Sequence, residues 1–133
     1  MIDTSIWIDY FRDTDKELND FIDCLINEDR VNINGIIKSE ILIGTKTQKE
    51  YNLVNNSLNG IKTIDFNDQV FNETSDTGFK LKRKGITVPL SDLIIAVQSY
   101  YNRLILIEKD NHFKKIKGCL DITLYFHSKV KEL

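Results

Sequence analysis

Short apolar segments alternate with longer amphipathic ones along this chain. From residue 15 to about residue 27, apolar side chains recur at helical spacing, and Thr14 and Glu17 have the spacing of a capping box before them. The same reasoning predicts further helices, the last capped by Ser91, over residues 36–43, 46–58, 67–84 and 91–101. Strands are predicted over residues 1–3, 31–34, 61–65, 104–107 and 122–125.

This alternation of strands and helices predicts the fold class. It is typical of an α/β domain, and we expect a three-layer α/β/α arrangement with a mostly parallel central sheet. The continuous apolar run at residues 104–107 is typical of a parallel strand that is covered on both faces. The sequence contains no linker, composition break or internal repeat, so a single domain is predicted over residues 1–133.

Some helical and aromatic residues have predicted orientations. On the helix at 67–84, Val70, Phe71 and Leu81 are expected on the inner side. At least one of Tyr100 and Tyr101 is expected on a buried helix face, although both are of the type that stacks on nucleic-acid bases.

Composition narrows the class of protein. The 133 residues are 41% hydrophobic and 29% charged, which excludes a disordered or collagen-like chain. No apolar run reaches the roughly 18 residues of a membrane span, and the first residues lack a basic flank, so we expect no membrane association, no export signal and a cytoplasmic location. Cys24 and Cys119 are then expected to be free, buried thiols.

The net charge of −2 bears on the partners of the protein. A mildly acidic chain does not hold a nucleic acid by its net charge, so binding of a polyanion would need a local basic patch or a metal ion. Such patches are present in the sequence, and they contain the candidate RNA-binding residues Lys82, Arg83, Lys114 and Lys115. The alternative interpretation is a solvated helix end, where cations are favoured by the helix dipole.

Proteins with a parallel sheet bind their ligands at the carboxyl ends of the strands. Four carboxylates are predicted there or on the helices that follow the strands: Asp3, Glu40, Asp92 and Asp110. Taken singly, Asp92 fits a helix N-terminus, Glu40 a solvated helix face and Asp110 a turn. Asp3, at the end of a buried strand, is harder to explain in this way. Together these groups would repel one another unless a cation were bound, and oxygen-rich sites select Mg²⁺ or Mn²⁺. The chemistry expected from such a site is phosphodiester hydrolysis.

Four motifs in the same order carry a resemblance to a known family. They are DTSIWID at residues 3–9, SEILIG at 39–44, GITVPLSDLIIA at 85–96 and DNHF at 110–113. With these motifs the chain resembles the PIN-domain ribonucleases, and specifically the VapC-type toxins of bacterial toxin–antitoxin pairs.

The resemblance implies a site, a reaction and partners. Asp3, Glu40, Asp92 and Asp110 would hold Mg²⁺ or Mn²⁺, and metal-activated water would cleave RNA endonucleolytically, with tRNA or rRNA as the expected substrate. Members of the family form homodimers and are neutralised by a small antitoxin, VapB-type or similar, which lies over the active groove. Ser5 matches a polar residue beside the metal site, although a helix N-cap explains it equally well.

Two further residues near the last acid are open to alternatives. Glu108 stands where the family often has threonine or serine, and it either adds negative charge to the site or points away from it. His112 is either a general base or ligand, or a residue that fixes the loop around Asp110, and the second role is favoured because a bound metal already activates water.

Two other functions remain as alternatives. The chain is either catalytic or an inert PIN-like interaction module within a DNA-binding toxin–antitoxin repressor complex, and the presence of all four acids favours catalysis. A phospho-acceptor receiver domain is disfavoured, because Asp3 is followed by Thr4 rather than by a second acid and no aspartate lies between Asp29 and Asp65.

Overall fold

A computed structural model describes residues 1–109 and 113–126 of the chain. Helices and short strands alternate along the described residues. The helices are α1 (Thr4–Arg12), α2 (Lys16–Asn27), α3 (Gly35–Ile43), α4 (Gln48–Asn59), α5 (Asp68–Arg83), α6 (Leu90–Tyr101) and α7 (Lys114–Lys117). The strands are β1 (Asn32–Ile33), β2 (Lys62–Thr63), β3 (Ile105–Glu108) and β4 (Thr123–Phe126).

All strand pairs formed by the described residues are parallel. Strand β1 pairs with β2, and β3 pairs with β4 over four residues. Ile2 forms an isolated parallel bridge with Ile107, and the backbone N–H of Asp3 donates to the carbonyl of Ile107 at 2.9 Å. Because a strand has only two edges, β3 lies between residues 1–3 and β4. The predicted α/β fold with parallel strands is confirmed.

The apolar core joins the strands to the helices that cover them. Trp7 of α1, Ile22 of α2, Ile33 of β1, Leu106 of β3 and Phe113 are each at most 1% exposed. Full burial of side chains of this size stabilises the fold by about 1.5–3 kcal/mol each, relative to leaving them in water. Helix α6 is the most deeply buried helix segment, since all residues from 93 to 99 are buried.

A buried polar network fixes the ends of β1 and β2 against α6. Asn34 and Gln98 are both 0% exposed, and the Asn34 Nδ2 donates to Gln98 Oε1 at 2.8 Å. Asn34 Oδ1 accepts from the Ile37 N–H and so caps α3, while Gln98 Nε2 donates to the carbonyls of Ile64 and Asp65. Hydrogen-bonded pairing of this kind is what makes burial of two amides tolerable.

The helix starts differ from prediction in three places. Helix α1 was not predicted. Helix α2 is capped by Asp15, whose side chain accepts from the Leu18 N–H at 3.2 Å, and not by Thr14. Helix α6 begins after Pro89, and Ser91 lies inside its first turn rather than at the cap. Pro89 is the N-cap residue, with φ at −58° as its ring requires, and its side chain has no oxygen with which to cap the helix.

Several burial predictions are also corrected. Phe71 was predicted on the inner side of its helix but is 47% exposed. At least one of Tyr100 and Tyr101 was predicted to be buried, but they are 42% and 38% exposed. Both cysteines are free, as predicted, but Cys24 is exposed and Cys119 is half-buried. Cys24 lies on the outer face of α2, where its Sγ donates to Glu28 Oε1. Within the described ranges, no helix is both long and apolar enough to cross a membrane.

Candidate active site

Asp3 lies where the first extended segment meets β3 and α1. Its backbone N–H pairs with Ile107, and its carbonyl accepts from the N–H groups of Ile6 and Trp7 at the start of α1. Asp3 is 5% exposed, and its carboxylate does not cap the helix. Instead, Ser5 Oγ donates to Asp3 Oδ2 at 2.9 Å. Ser5 is therefore not the N-cap of α1; it is a polar group in contact with the first acid.

Glu40 is brought to the same place by α3. The hydroxyl of Thr4 donates to Glu40 Oε1 at 2.9 Å, while the neighbouring residues Asp3 and Ser5 bond to each other. Glu40 is half-buried rather than on a fully solvated face. The segment from Asp3 to Ser5 thus connects two of the predicted acids through adjacent hydroxyl groups.

Asp92 occupies the first turn of α6, where the positive end of the helix dipole favours a carboxylate. Its side chain is half-buried. Leu93, the next residue, contacts α5 at Gly78, where an added Cβ would lie 3.0 Å from Leu93 Cδ1. The absence of a side chain at Gly78 allows α5 to approach the first turn of α6 closely.

Asp110 and His112 lie outside the described residues, but the chain on both sides of them is held in place. Glu108 is 0% exposed, and its Oε2 accepts the backbone N–H of Phe113 at 3.2 Å. Lys109 forms an ion pair with Asp9 of α1 at 2.8 Å. The Glu108 carboxylate therefore lies in the interior, and its hydrogen bond joins the residues that precede and follow Asp110 in the sequence.

The donor set fits a hard cation, although the described residues alone do not complete a site. Asp3, Glu40 and Asp92 supply only carboxylate oxygens, the ligands that Mg²⁺ and Mn²⁺ prefer. Asp3 is moreover a buried carboxylate, which is costly without a compensating charge or hydrogen bonds. No three histidine, cysteine or acidic side chains within residues 1–109 and 113–126 form a group that could hold a metal ion. Asp110, the fourth predicted ligand, is not among these residues.

The predicted RNA-binding cations are exposed at two places. Lys82 and Arg83 are in the last turn of α5, and Lys114 and Lys115 begin α7 directly after Phe113. Lys80, by contrast, forms an ion pair with Asp76 on its own helix at 2.8 Å.

Sequence reasoning missed Thr4 and Asp9. Thr4 contacts Glu40 across the chain, and Asp9 holds Lys109, yet neither has a charge pattern that marks it. The available signal was position, since both lie within the DTSIWID motif that contains Asp3.

Comparisons with known proteins agree with this geometry. A profile of the PIN domain family matches residues 1–118. No protein of curated function matches the chain by sequence.

Solved structures with the same fold are also found. One is a chain of VapBC2 from Rickettsia felis bound to a DNA fragment from its promoter, with a TM-score of 0.81, 19% identity and coverage of 95% of this chain and 96% of that one. DNA-bound VapBC from Salmonella typhimurium gives a TM-score of 0.78 at 19% identity, covering 95% and 96% of the two chains. VapBC-1 from nontypeable Haemophilus influenzae gives 0.77 at 20% identity, covering 97% and 98%. The profile spans most of the sequence and includes the positions of all four predicted acids, so the chain belongs to the PIN domain family.

Proposed function

We propose that this protein is a metal-dependent endoribonuclease toxin that a cognate antitoxin neutralises. The observation that carries the proposal is the contact of the Asp3–Thr4–Ser5 segment with Glu40 inside a PIN domain, a family whose members are in general nucleases. We further propose that it acts on tRNA or rRNA, as a homodimer, in the cytoplasm.

Asp3, Glu40, Asp92 and Asp110 would hold Mg²⁺ or Mn²⁺. Such an ion, when bound, lowers the pKa of water and offsets charge on a phosphate. The chain itself contributes orientation: Ser5 and Thr4 direct the carboxylates of Asp3 and Glu40 through their hydroxyl groups. The burial of Asp3 also keeps water away from that carboxylate, which strengthens its interaction with a cation.

The antitoxin proposal is supported by a groove between α1, α3 and α4. Helices α1, α3 and α4 line a cavity of about 350 Å³ with apolar side chains from Ile8, Phe11, Ile41 and Val54. Helix α3 also carries Ile43, which is 83% exposed. Structures of the same fold are of VapB–VapC complexes, which supports a protein partner here. Binding of the product of a neighbouring short open reading frame would test this part of the proposal.

The catalytic proposal is tested by replacing its acids. Asp3→Asn and Asp92→Asn should each abolish Mn²⁺-dependent cleavage of total RNA, because each removes the charge of a metal ligand while keeping its shape. Asp20→Asn is the matched control, since Asp20 is an exposed acid of α2 that pairs only with Lys16 on the surface in the described structure. Circular dichroism should be the same for all of these proteins.

Calorimetry with Mn²⁺ separates the proposal from its main alternative. A nuclease should give a specific binding heat that Asp3→Asn removes. An inert interaction module should give neither the heat nor the cleavage, and that result, or full activity of Asp92→Asn, would overturn the proposal.

A further inference from the structure

Helix α5 carries an exposed aromatic side chain that the proposed chemistry does not use. Phe79 of α5 is 61% exposed, although it lies next to Gly78, the point of close approach to α6. Gly78 contacts Leu93, and Leu93 follows Asp92, so Phe79 is level with the candidate metal ligand along the helix pair.

Phe79 is held together with a cation. The guanidinium carbon of Arg83 lies 5.4 Å from the centroid of the Phe79 ring, one helical turn away, which is the geometry of a cation–π contact. This contact orders the long Arg83 side chain next to the aromatic surface. A guanidinium can keep such a contact while it donates hydrogen bonds to a phosphate, because it carries five N–H donors in one plane.

The charge around Phe79 suits a polyanion. Arg83 is flanked by Lys82 and Lys84, which are exposed and which, within the described residues, form no ion pair. An aromatic face beside cations is the arrangement with which proteins bind single-stranded nucleic acid, since every base has a face that stacks and every nucleotide has a phosphate.

The other exposed aromatic pair lies at the wrong end of α6 for this role. Tyr100 and Tyr101 stack edge to face on each other at 5.3 Å, and Tyr101 lies close to Glu73. Nine residues of helix separate Tyr101 from Asp92, which is about 14 Å. A base stacked there would be beside a negative charge and remote from the acids.

We infer that Phe79 and Arg83 form a stacking site for an unpaired RNA base on the exposed face of α5, level with the turn of α6 that carries Asp92. This inference rests on the proposed function and adds the residues that would contact a base of the RNA. A paired base is excluded because its faces are already covered by its neighbours in the duplex.

Binding without metal tests the stacking site independently of cleavage. The probes are an RNA hairpin with 2-aminopurine in its loop and the same sequence fully paired, titrated in EDTA. Phe79→Ala should weaken binding of the loop RNA by about 5- to 150-fold, remove the quenching of 2-aminopurine and leave duplex binding unchanged. Phe79→Trp should retain both the affinity and the quenching.

Two variants serve as controls. Phe71→Ala removes another exposed phenylalanine of α5, two turns away and packed on Phe66, and should change neither probe. Arg83→Gln should lower the slope of log affinity against log salt concentration by about 0.7, as expected for one phosphate contact on a single strand, whereas Phe79→Ala should leave the slope unchanged.

The outcomes distinguish this inference from the proposed function. If the wild-type protein binds the loop RNA through Phe79 but does not cleave it with Mn²⁺, the nuclease proposal fails and the stacking site stands. If it cleaves RNA and Phe79→Ala binds and cleaves normally, the stacking site alone fails. The inference is also overturned if the wild-type protein binds neither probe, or if Phe79→Ala reduces self-association in sedimentation without changing RNA binding, since the face is then a subunit contact.

Discussion

At the scale of single residues, Thr4 joins two parts of the candidate site that are distant in sequence. Its hydroxyl donates to Glu40 Oε1, and its backbone lies between Asp3 and Ser5, which bond to each other. A carboxylate that accepts a hydroxyl hydrogen bond keeps one rotamer, so its remaining lone pairs point in a defined direction. Thr4 is thus a positioning residue for Glu40.

Replacement of Thr4 by valine should show this role. Valine has nearly the same shape but cannot donate, so we expect Thr4→Val to weaken Mn²⁺ binding, and cleavage with it, by roughly 10- to 100-fold. Thr4→Ser should restore most of both. The Mn²⁺ dissociation constant from calorimetry is the decisive measurement, because a purely structural defect would lower stability without changing it.

At the scale of helices and strands, the Asn34–Gln98 network fixes how α6 meets the strand ends. Both residues are fully buried. Gln98 accepts a hydrogen bond from Asn34 and donates to two backbone carbonyls. Since α6 also carries Asp92, this network sets the position of one candidate ligand relative to the strands.

Gln98→Leu should destabilise the fold strongly. It leaves the buried Asn34 amide without its acceptor and two backbone carbonyls without their donor, and we expect a loss of about 2–4 kcal/mol in the free energy of unfolding, read from urea denaturation. Gln48→Leu, on the exposed start of α4, should change the same quantity by less than about 0.5 kcal/mol. Similar midpoints for the two variants would contradict this account of the network.

The same elements explain which features the sequence predicts. Helices α2 and α5 follow from local periodicity, and strand β3 follows from its apolar run, since these signals are contained within a few residues. Helix α1 was missed because Asp3 both ends the first extended segment and is the N-cap residue of α1, so no turn residues separate the two elements. The outward position of Phe71 depends on its contact with Phe66 and could not be read from spacing alone.

The candidate site is predicted less completely than the fold, for a related reason. Asp3, Glu40 and Asp92 stand out by charge and by motif. The contact of Thr4 with Glu40 spans 36 residues and has no local signal. Glu108 accepts a hydrogen bond from a backbone N–H only five residues away, at Phe113, and the sequence pattern does not mark that bond either.

At the scale of the whole molecule, the amino group of Met1 links stability to pH. It donates to the Ile105 carbonyl at 3.1 Å, and burial lowers its pKa from about 8 to about 6. Between pH 8 and pH 6 the unfolded chain therefore binds a proton that the folded chain does not. The free energy of unfolding should fall as the pH is lowered through this interval, by about 3 kcal/mol at most, and this contribution should be constant below it.

Urea denaturation of the 133-residue chain at pH 6 and at pH 8 measures this effect. A preparation acetylated at Met1 is the control, because its terminus is uncharged in both states and should lack this part of the pH dependence. Equal pH dependence in the two preparations would assign the effect to other groups.

The pairing of residues 1–3 with β3 also has a consequence for biosynthesis. The ribosome makes Asp3 more than a hundred residues before the strand that holds it through Ile107. A nascent chain cannot hold Asp3 in this position until β3 has been made, and products that terminate before β3 lack this arrangement. If the protein is the toxin that we propose, its activity arises only in chains that already include β3, so an inhibitor can be made while they are being synthesised.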